Sequence, residues 1–325
     1  MKNLWLLFFI HSCFAGELFD QVVIWGHKLH THTHSYIHER FYRAFQHLGY
    51  PTYWFDNQDH LEGFDFSRTL FLTEGQVDQQ MPLRTDCLYV LHNCPRDRYK
   101  SLFQMGRCIN LQVYSDDVLA RTHLLKVEPF IYYDIEGRVV YMPWASDLLP
   151  HEIEETKRRL PTLQKRKIFH WMGTFAEGAF GNANQLNPFI QACKENGIEF
   201  SHNDPWANGL SRQVMMERTE ESFLAPAIVG KWQEEHGYIP CRIFINISAG
   251  QFGLTNSLRV YELFDQKIVY NPDTYQLFYD ALERLKTWSW EDQYALMDIV
   301  KNKHTYLNRI ATLLNFLELL DAKGH

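Results

Sequence analysis

Residues Ile239 to Asn271 read IPCRIFINISAGQFGLTNSLRVYELFDQKIVYN, and this stretch is predicted to change secondary structure several times. An apolar helical segment follows Pro240 and stops at Gly250. A polar loop, a short helix over residues 260–264 and a strand-like run over residues 267–270 come next. This succession is typical of the edge of an α/β sheet, where loops contact ligands: a helix, a glycine stop, a loop, a second helix and a strand within one short stretch.

Length and composition predict a globular protein of two domains. A chain of 325 residues suits two domains of ~150 residues each. With 46% hydrophobic and 22% charged residues, disorder and coiled coil are excluded as the main architecture. A net charge of −7 and a pI near 6.1 argue against a surface that embraces nucleic acid, so we expect no nucleic-acid partner.

The N-terminus has the layout of a secretory signal peptide. Residues 1–15, MKNLWLLFFIHSCFA, combine one lysine, an apolar run and a small residue at Ala15. This run is too short to span a bilayer, and no other segment approaches the ~20 apolar residues needed, so no transmembrane span is expected. The segment favours the secretory pathway or periplasm, and the cytoplasm is the alternative. The six cysteines form no CxxC pair and leave the redox compartment open.

From Gln21 onward, strand-like and helix-like segments alternate. Continuous apolar runs of the kind found in buried parallel strands occupy residues 22–25, 52–55, 69–73, 87–91, 109–113 and 130–133. A proline-rich and charged segment follows Tyr141, and a second series begins with a strand over 168–172, a helix over 184–196 and a strand over 198–201. The pattern predicts Rossmann-like domains over residues 20–150 and 165–305.

Two motifs resemble the donor-binding half of two-domain glycosyltransferases, especially the group related to the bacterial CgeB protein. One is Arg242 followed by Gly250, a loop, the E-L-F phrase at Glu262 and a strand ending in Tyr-Asn. The other is H-T-Y-x-x-R from His304 to Arg309. The resemblance implies the GT-B fold: α/β, with two Rossmann-like parallel-sheet domains that face across a cleft and a C-terminal helix, residues 306–325, that crosses back.

The resemblance also implies a donor site in the second domain. Arg242 would clamp a diphosphate through paired hydrogen bonds, although a surface salt bridge is the plainer interpretation. Glycine at a strand–helix turn lets backbone amides approach a phosphate. The predicted donor-binding residues are Gly173, Thr174, Lys231, Arg242, Asn246, Asn256, Ser257 and Glu262. The family usually has a glutamate three residues after the arginine, where this chain has Ile245. Either Asn246 and the Asn256–Ser257 loop replace its hydrogen bonds, or the donor differs, or activity is lost.

The loop after the first strand, residues 26–35, holds four histidines: His27, His30, His32 and His34. In an open α/β sheet this loop reaches ligands, and in many such transferases it contacts the acceptor, in some with a histidine as base. The predicted catalytic residues are His27, His34 and His92. Alternatively, His30 and His32 resemble the metal-binding opening of PHP phosphoesterases, although Lys28 stands where an acid is usual. The remaining alternative is a set of histidines without a role.

We therefore interpret the chain as a glycosyltransferase, of the hexosyltransferase class, that uses a nucleotide-sugar donor and a glycan, lipid or protein acceptor. It would need no metal and no cofactor beyond the donor, because helix dipoles and basic groups stabilise the leaving diphosphate. The alternatives are a PHP-like metal-dependent hydrolase and a glycosyltransferase-like binding protein without catalysis, which the Ile245 departure motivates.

Overall fold

The computed structural model describes residues 18–28, 33–115 and 123–322. Within them the chain forms two compact units. The first contains residues 18–28, 33–112, 123–142 and 306–322, and the second contains residues 113–115 and 143–305. The signal-peptide segment, residues 1–15, lies outside the described residues. The predicted domain bounds, 20–150 and 165–305, stay a prediction.

The first unit is built on a sheet of eight strands in the order β2-β1-β3-β4-β5-β8-β7-β6. The strands are β1 Gln21–Trp25, β2 Thr52–Phe55, β3 Thr69–Glu74, β4 Leu88–His92, β5 Cys108–Gln112, β6 Leu124–Glu128, β7 Ile131–Asp134 and β8 Val139–Tyr141. Neighbours from β2 to β8 pair in parallel, whereas β7 pairs antiparallel with both β8 and β6. The central strands β3 and β4 are buried along their whole length, as expected for strands covered on both faces.

Helices cover this sheet. They are Thr33–His47, Lys100–Gln104 and Tyr306–Ala322, with a 3₁₀ turn at Arg96–Tyr99. The last helix of the chain packs in the first unit: the Phe41 ring meets the Tyr306 ring edge-on at 4.7 Å, and Tyr133 Oη donates to Thr312 O at 2.7 Å. The predicted return of the C-terminal helix is thus confirmed.

The second unit contains two short parallel strand pairs. Its strands are β9 Ile168–Met172, β10 Glu199–Asn203, β11 Leu254–Thr255 and β12 Val269–Tyr270. Residues 223–229 run between the pairs, because Phe223 N donates to Ile168 O and Ala227 N donates to Leu254 O. Pro226 in this segment has no amide hydrogen for a sheet ladder, which explains why the segment is not a regular strand.

The helices of the second unit lie before, between and after these strands in the sequence. They are Pro150–Arg159, Ala183–Glu195, Arg212–Glu221, Lys231–Glu235, Cys241–Ser248, Leu258–Leu263, Thr274–Leu285 and Trp290–Lys303, with a 3₁₀ turn at Leu160–Thr162. The helices Trp290–Lys303 and Tyr306–Ala322 are separated at His304, whose φ of −132° is outside the helical region. No helix among the described residues is both long and apolar enough to cross a membrane.

Candidate functional site

Histidines from three elements of the first unit meet at the carboxyl edge of its sheet. His27 follows β1, His34 lies in the first turn of the helix Thr33–His47, and His92 is the last residue of β4. Glu74, the last residue of β3, stands in register with His92. Because parallel strands end at one edge, the topology brings these side chains together, as it does in other open α/β sheets.

Glu74 lies between two of these histidines. Its Oε1 is 3.5 Å from His27 Nε2, and its Oε2 is 3.7 Å from His34 Nδ1. The His34 ring meets the His92 ring at 5.6 Å between centroids. Burial alone would raise the pKa of Glu74, but the nearby imidazoles of His27 and His34 outweigh burial, and the pKa lies below its usual value. The carboxyl group is therefore ionised at neutral pH.

The imidazoles of His38 and His92 are more deeply buried than those of His27 and His34. Burial lowers the pKa of His38 to about 3 and also lowers the pKa of His92. His92 Nδ1 lies 3.0 Å from Leu111 O, which can only accept, so this nitrogen carries the hydrogen. Asn93 Nδ2 then donates to His92 Nε2 at 3.1 Å. Both rings are neutral at physiological pH.

Three members of this group, His27, His34 and His92, are among the predicted catalytic residues, whereas Glu74 and His38 are not. Both have a recognisable signal. Glu74 is a carboxylate at the carboxyl end of the apolar run TLFLTE, and His38 lies one helical turn after His34 on the same face. His30 and His32, on which the metal-dependent alternative rests, lie outside the described residues. In the parts of the chain that are described, no three His, Cys, Asp or Glu side chains are placed to hold a metal ion.

In the second unit, Arg242 lies directly against Gly173. Its Nη2 donates to Met172 O at 2.7 Å, and its Cζ lies 3.7 Å from the centroid of the Trp171 ring. A guanidinium stacked in this way on an aromatic face gains a cation–π attraction and a fixed orientation. Trp171 was not among the predicted site residues, although it lies two residues before Gly173, near the end of strand β9.

The charge of Arg242 has no acidic partner among the described residues. No carboxylate of the described residues lies within 4.0 Å of its guanidinium nitrogens. Burial lowers the pKa of Arg242 to about 10, against the smaller opposing effects of Cys241 and Tyr238. The group is still protonated at pH 7, and a partly buried cation without a counterion is a favourable place for an anion.

Gly173 is required by its own conformation and by its contact with Arg242. Its φ of +141° is unfavourable for other residues, and an added Cβ would lie 2.4 Å from Arg242 Nη2. We expect Gly173→Ala to lower the free energy of unfolding by about 1 kcal/mol or more and to displace the guanidinium. Urea unfolding checks the stability. Gly197→Ala, at φ +68° with open space around its Cβ, is the matched control, which strains the backbone without touching Arg242.

Three other predicted donor residues bind backbone within the second unit. Asn246 Nδ2 donates to Ala225 O at 2.6 Å. Asn256 accepts from Val229 N at 2.9 Å and donates to Val229 O at 3.0 Å. Ser257 caps the helix Leu258–Leu263. The side-chain amides of Asn246 and Asn256, which were predicted to replace the glutamate of the resembling transferases, thus already bind backbone groups. Their donor-binding role stays a prediction.

The remaining predicted donor residues lie at the surface. Thr174 is exposed, and its carbonyl accepts from Trp171 Nε1 at 3.0 Å. The Lys231 side chain is 79% exposed and pairs with Glu235 at 3.7 Å, one helical turn away. Glu262 is an exposed carboxylate on a short helix. Their roles in binding also stay predictions.

The H-T-Y-x-x-R motif spans the boundary between the two units. His304, in the second unit, packs on the rings of Phe244 at 4.8 Å and Phe264 at 5.8 Å. Tyr306 and Arg309, in the first unit, are buried, and burial lowers the pKa of Arg309 to about 10. These contacts give the motif a structural role at the start of the last helix.

Comparison with known proteins gives a likeness in fold. No family model matches the sequence, and no curated protein matches it. Among solved structures, an alpha,alpha-trehalose 6-phosphate synthase from Burkholderia multivorans is similar at 11% identity and a TM-score of 0.52, covering 94% of this chain and 100% of that chain. A UDP-forming synthase from Burkholderia xenovorans reaches 9% identity and 0.45, covering 89% and 79%. A trehalose-6-phosphate structure from E. coli bound with UDP-2-fluoro glucose reaches 10% and 0.40, covering 89% and 77%.

The topology and the similarity to the Burkholderia multivorans synthase together confirm the fold class that was predicted from the sequence. The described chain contains a large, mainly parallel sheet in one unit and short parallel strand pairs in the other, and the final helix returns to the first unit. No barrel occurs in the described parts of the chain. The chain has the α/β architecture of the GT-B fold.

Proposed function

We propose that this protein is a glycosyltransferase that moves a sugar, most simply a hexose, from a nucleotide-sugar donor to a hydroxyl group of an acceptor. The likeness in fold to a trehalose 6-phosphate synthase supports a reaction on sugars. The two sequence motifs at Arg242 and His304 support a place beside the CgeB-like group. Metal independence and the absence of a further cofactor are part of the proposal.

The observation that carries the proposal is the environment of Arg242. The guanidinium is held by Met172 O and the Trp171 ring, and it lacks a carboxylate partner among the described residues. Beside it begins a glycine-containing loop, from Gly173 to Asn182, that leads into the helix Ala183–Glu195. A cation at the beginning of a loop that leads into a helix N-terminus suits a diphosphate.

In the proposed reaction, Arg242 and these amides stabilise the negative charge that develops on the leaving nucleoside diphosphate. The histidine group of the first unit, His27, His34 and His92, serves the acceptor hydroxyl. The charge on the diphosphate grows as its bond to the sugar breaks. An arginine placed at that point therefore contributes more to the transition state than to binding of the intact donor.

Binding of nucleoside diphosphates tests the proposal. We expect UDP, GDP or ADP, at a hundred times its dissociation constant, to add ~2.7 kcal/mol of apparent stability, measured as a rise in melting temperature. The same protein is then assayed for transfer from the matching nucleotide sugar. Stabilisation without transfer to any acceptor or to water would favour the binding-protein alternative. Failure of every nucleoside diphosphate to raise the melting temperature, together with tightly bound metal, would contradict the proposal and favour the hydrolase.

A further inference from the structure

We propose that Arg259 and Ser115 select the nucleobase of the donor and favour a base with a carbonyl oxygen at its edge, such as uracil or guanine. This role depends on the proposed function, because a nucleotide-sugar donor carries such a base. Both residues belong to the second unit, which also contains Arg242. Neither was among the predicted donor-binding residues.

Arg259 and Ser115 meet at the backbone of Gly237. A Cβ atom placed on this glycine would lie 1.9 Å from Ser115 Oγ and 2.7 Å from Arg259 Cζ, so the hydroxyl and the guanidinium are close neighbours. Ser115 N donates to His236 O at 3.1 Å, which fixes the serine against the same turn. One turn of the second unit therefore holds both polar groups side by side.

Neither polar group has a hydrogen-bond or charge partner in the described parts of the chain. Ser115 is fully buried, and its Oγ makes no hydrogen bond there. Arg259 is partly buried, and its guanidinium forms no ion pair or hydrogen bond with a described residue. Burial of unpaired polar and charged groups is unfavourable. A ligand that forms hydrogen bonds with both groups would remove this penalty.

Aromatic rings lie next to these polar groups. The ring of Tyr114, the residue before Ser115, lies 5.1 Å from the Trp232 ring and 5.2 Å from the Tyr238 ring, measured between centroids. The Trp232 ring also meets the ring of Phe180, which is 72% exposed, at 5.2 Å. Flat rings beside polar groups suit a heterocyclic base, which stacks through its faces and forms hydrogen bonds through its edge.

The place of these rings in the sheet favours a nucleotide as the ligand. Strand β9 pairs with β10 on one side and contacts the segment 223–229 on the other, so the chain changes direction across the sheet here. Phe180 lies in the loop after β9, and Trp232 follows the segment 223–229. Open α/β sheets bind ligands at such a switch point. Tyr238 is also an electrostatic neighbour of Arg242, the proposed diphosphate ligand.

The two polar groups select the base through hydrogen bonds. A guanidinium only donates, so Arg259 pairs with O4 of uracil or O6 of guanine. Cytosine and adenine have an amino group at the corresponding place, and its hydrogens would face the guanidinium donors. The Ser115 hydroxyl can accept from the ring N–H beside the carbonyl. The wrong base leaves these groups unpaired, which is why sites of this kind discriminate strongly.

UDP and CDP test the selection, because they differ only at the edge of the base. In isothermal titration of the intact protein, UDP should bind more tightly than CDP by about tenfold or more. Arg259→Met, which keeps an aliphatic side chain without donors, should remove this preference, and Arg259→Lys should restore part of it. Trp232→Ala should instead weaken UDP and CDP by the same factor, about 5- to 150-fold, because stacking does not depend on the base edge.

Ser115→Ala separates a binding role from a structural one. Its hydroxyl has no partner among the described residues, so the variant should unfold at the same urea concentration as the wild type or at a higher one. UDP should nevertheless bind about 2- to 10-fold more weakly. Ser257→Ala, which removes the hydroxyl that caps the helix Leu258–Leu263, is the matched control and should unfold at a lower urea concentration.

Arg284→Met is the control for the arginine. Arg284 lies over the Trp288 ring at 4.8 Å in the second unit, and its loss should leave the ratio of the UDP and CDP affinities unchanged. Equal binding of UDP and CDP by the wild type, or an unchanged ratio in Arg259→Met, would overturn the base selection and leave the glycosyltransferase proposal intact. A preference for uridine over cytidine that Arg259→Met removes, in a protein that transfers no sugar, would support the base selection and contradict the proposed function. Binding of neither nucleosides nor nucleoside diphosphates would contradict both.

Discussion

Replacing Arg242 with alanine should weaken the binding of a nucleoside diphosphate by about 10- to 150-fold. The substitution removes a charge-assisted contact worth ~1.5–3 kcal/mol, and each 1.4 kcal/mol is tenfold in the dissociation constant. Turnover should fall further, because the leaving group carries more charge in the transition state than in the bound donor. Isothermal titration measures the affinity, and initial rates measure the transfer.

Two variants make this result specific to Arg242. Arg242→Lys should recover only part of the affinity, since a point charge can neither form a two-pronged hydrogen bond nor stack flat on Trp171. Arg166→Ala removes the same charge from an exposed arginine of the second unit, one that pairs with Glu221 at 3.1 Å. If Arg242→Ala binds nucleotide and transfers sugar as the wild type does, the donor-site assignment is wrong, and the chain shares only the fold of these transferases.

Lowering the pH from 7 to 5 should destabilise the protein by about 2 kcal/mol through His38 alone. Burial holds the pKa of His38 near 3 in the folded chain, against 6.5 in the unfolded chain. Below pH 6.5 the unfolded chain takes up a proton that the folded chain does not. The stability is therefore lost as the pH falls from 6.5 toward 3, at about 1.4 kcal/mol per pH unit.

The expected measurement is urea unfolding at pH 7 and pH 5, with His38→Gln as the comparison. The variant should lose about 2 kcal/mol less than the wild type between the two pH values. The groups facing His38, namely His34, Glu74, His27 and His92, are present in both proteins, so the difference isolates His38. His60→Gln, at an exposed position of the same unit, controls for the loss of an imidazole. Parallel pH dependence in wild type and His38→Gln would contradict the assignment.

The strands of both units could be read from the sequence where they are buried on both faces. The apolar run at residues 22–25 corresponds to strand β1 Gln21–Trp25, and the strand predicted over residues 168–172 is confirmed as β9 Ile168–Met172. The antiparallel extension of the first sheet was not foreseen. Four of the five residues in Leu124–Glu128 are exposed, so this edge strand lacks the continuous apolar run that marks a central one.

The grouping of His27, His34 and His92 was predictable because all three lie near strand ends of an α/β sheet. The role of the asparagines was not. Asn246 and Asn256 follow Arg242 in the same stretch of sequence, yet their amides bind backbone at Ala225 and Val229, more than twenty residues before each of them. A single sequence states which side chains can make hydrogen bonds, but their partners are fixed by the way distant segments pack.

The return of the last helix affects the order in which the protein can fold during its synthesis. Every residue of the second unit, up to Thr305, emerges from the ribosome before the helix Tyr306–Ala322 does, so this unit can close first. The first unit cannot, because Tyr133 and Phe41 find their partners in the 17-residue helix Tyr306–Ala322. The part of the protein that is translated first is therefore completed last. Its aromatic surface stays open to chaperones, or to aggregation, until the final turns of helix emerge from the ribosome.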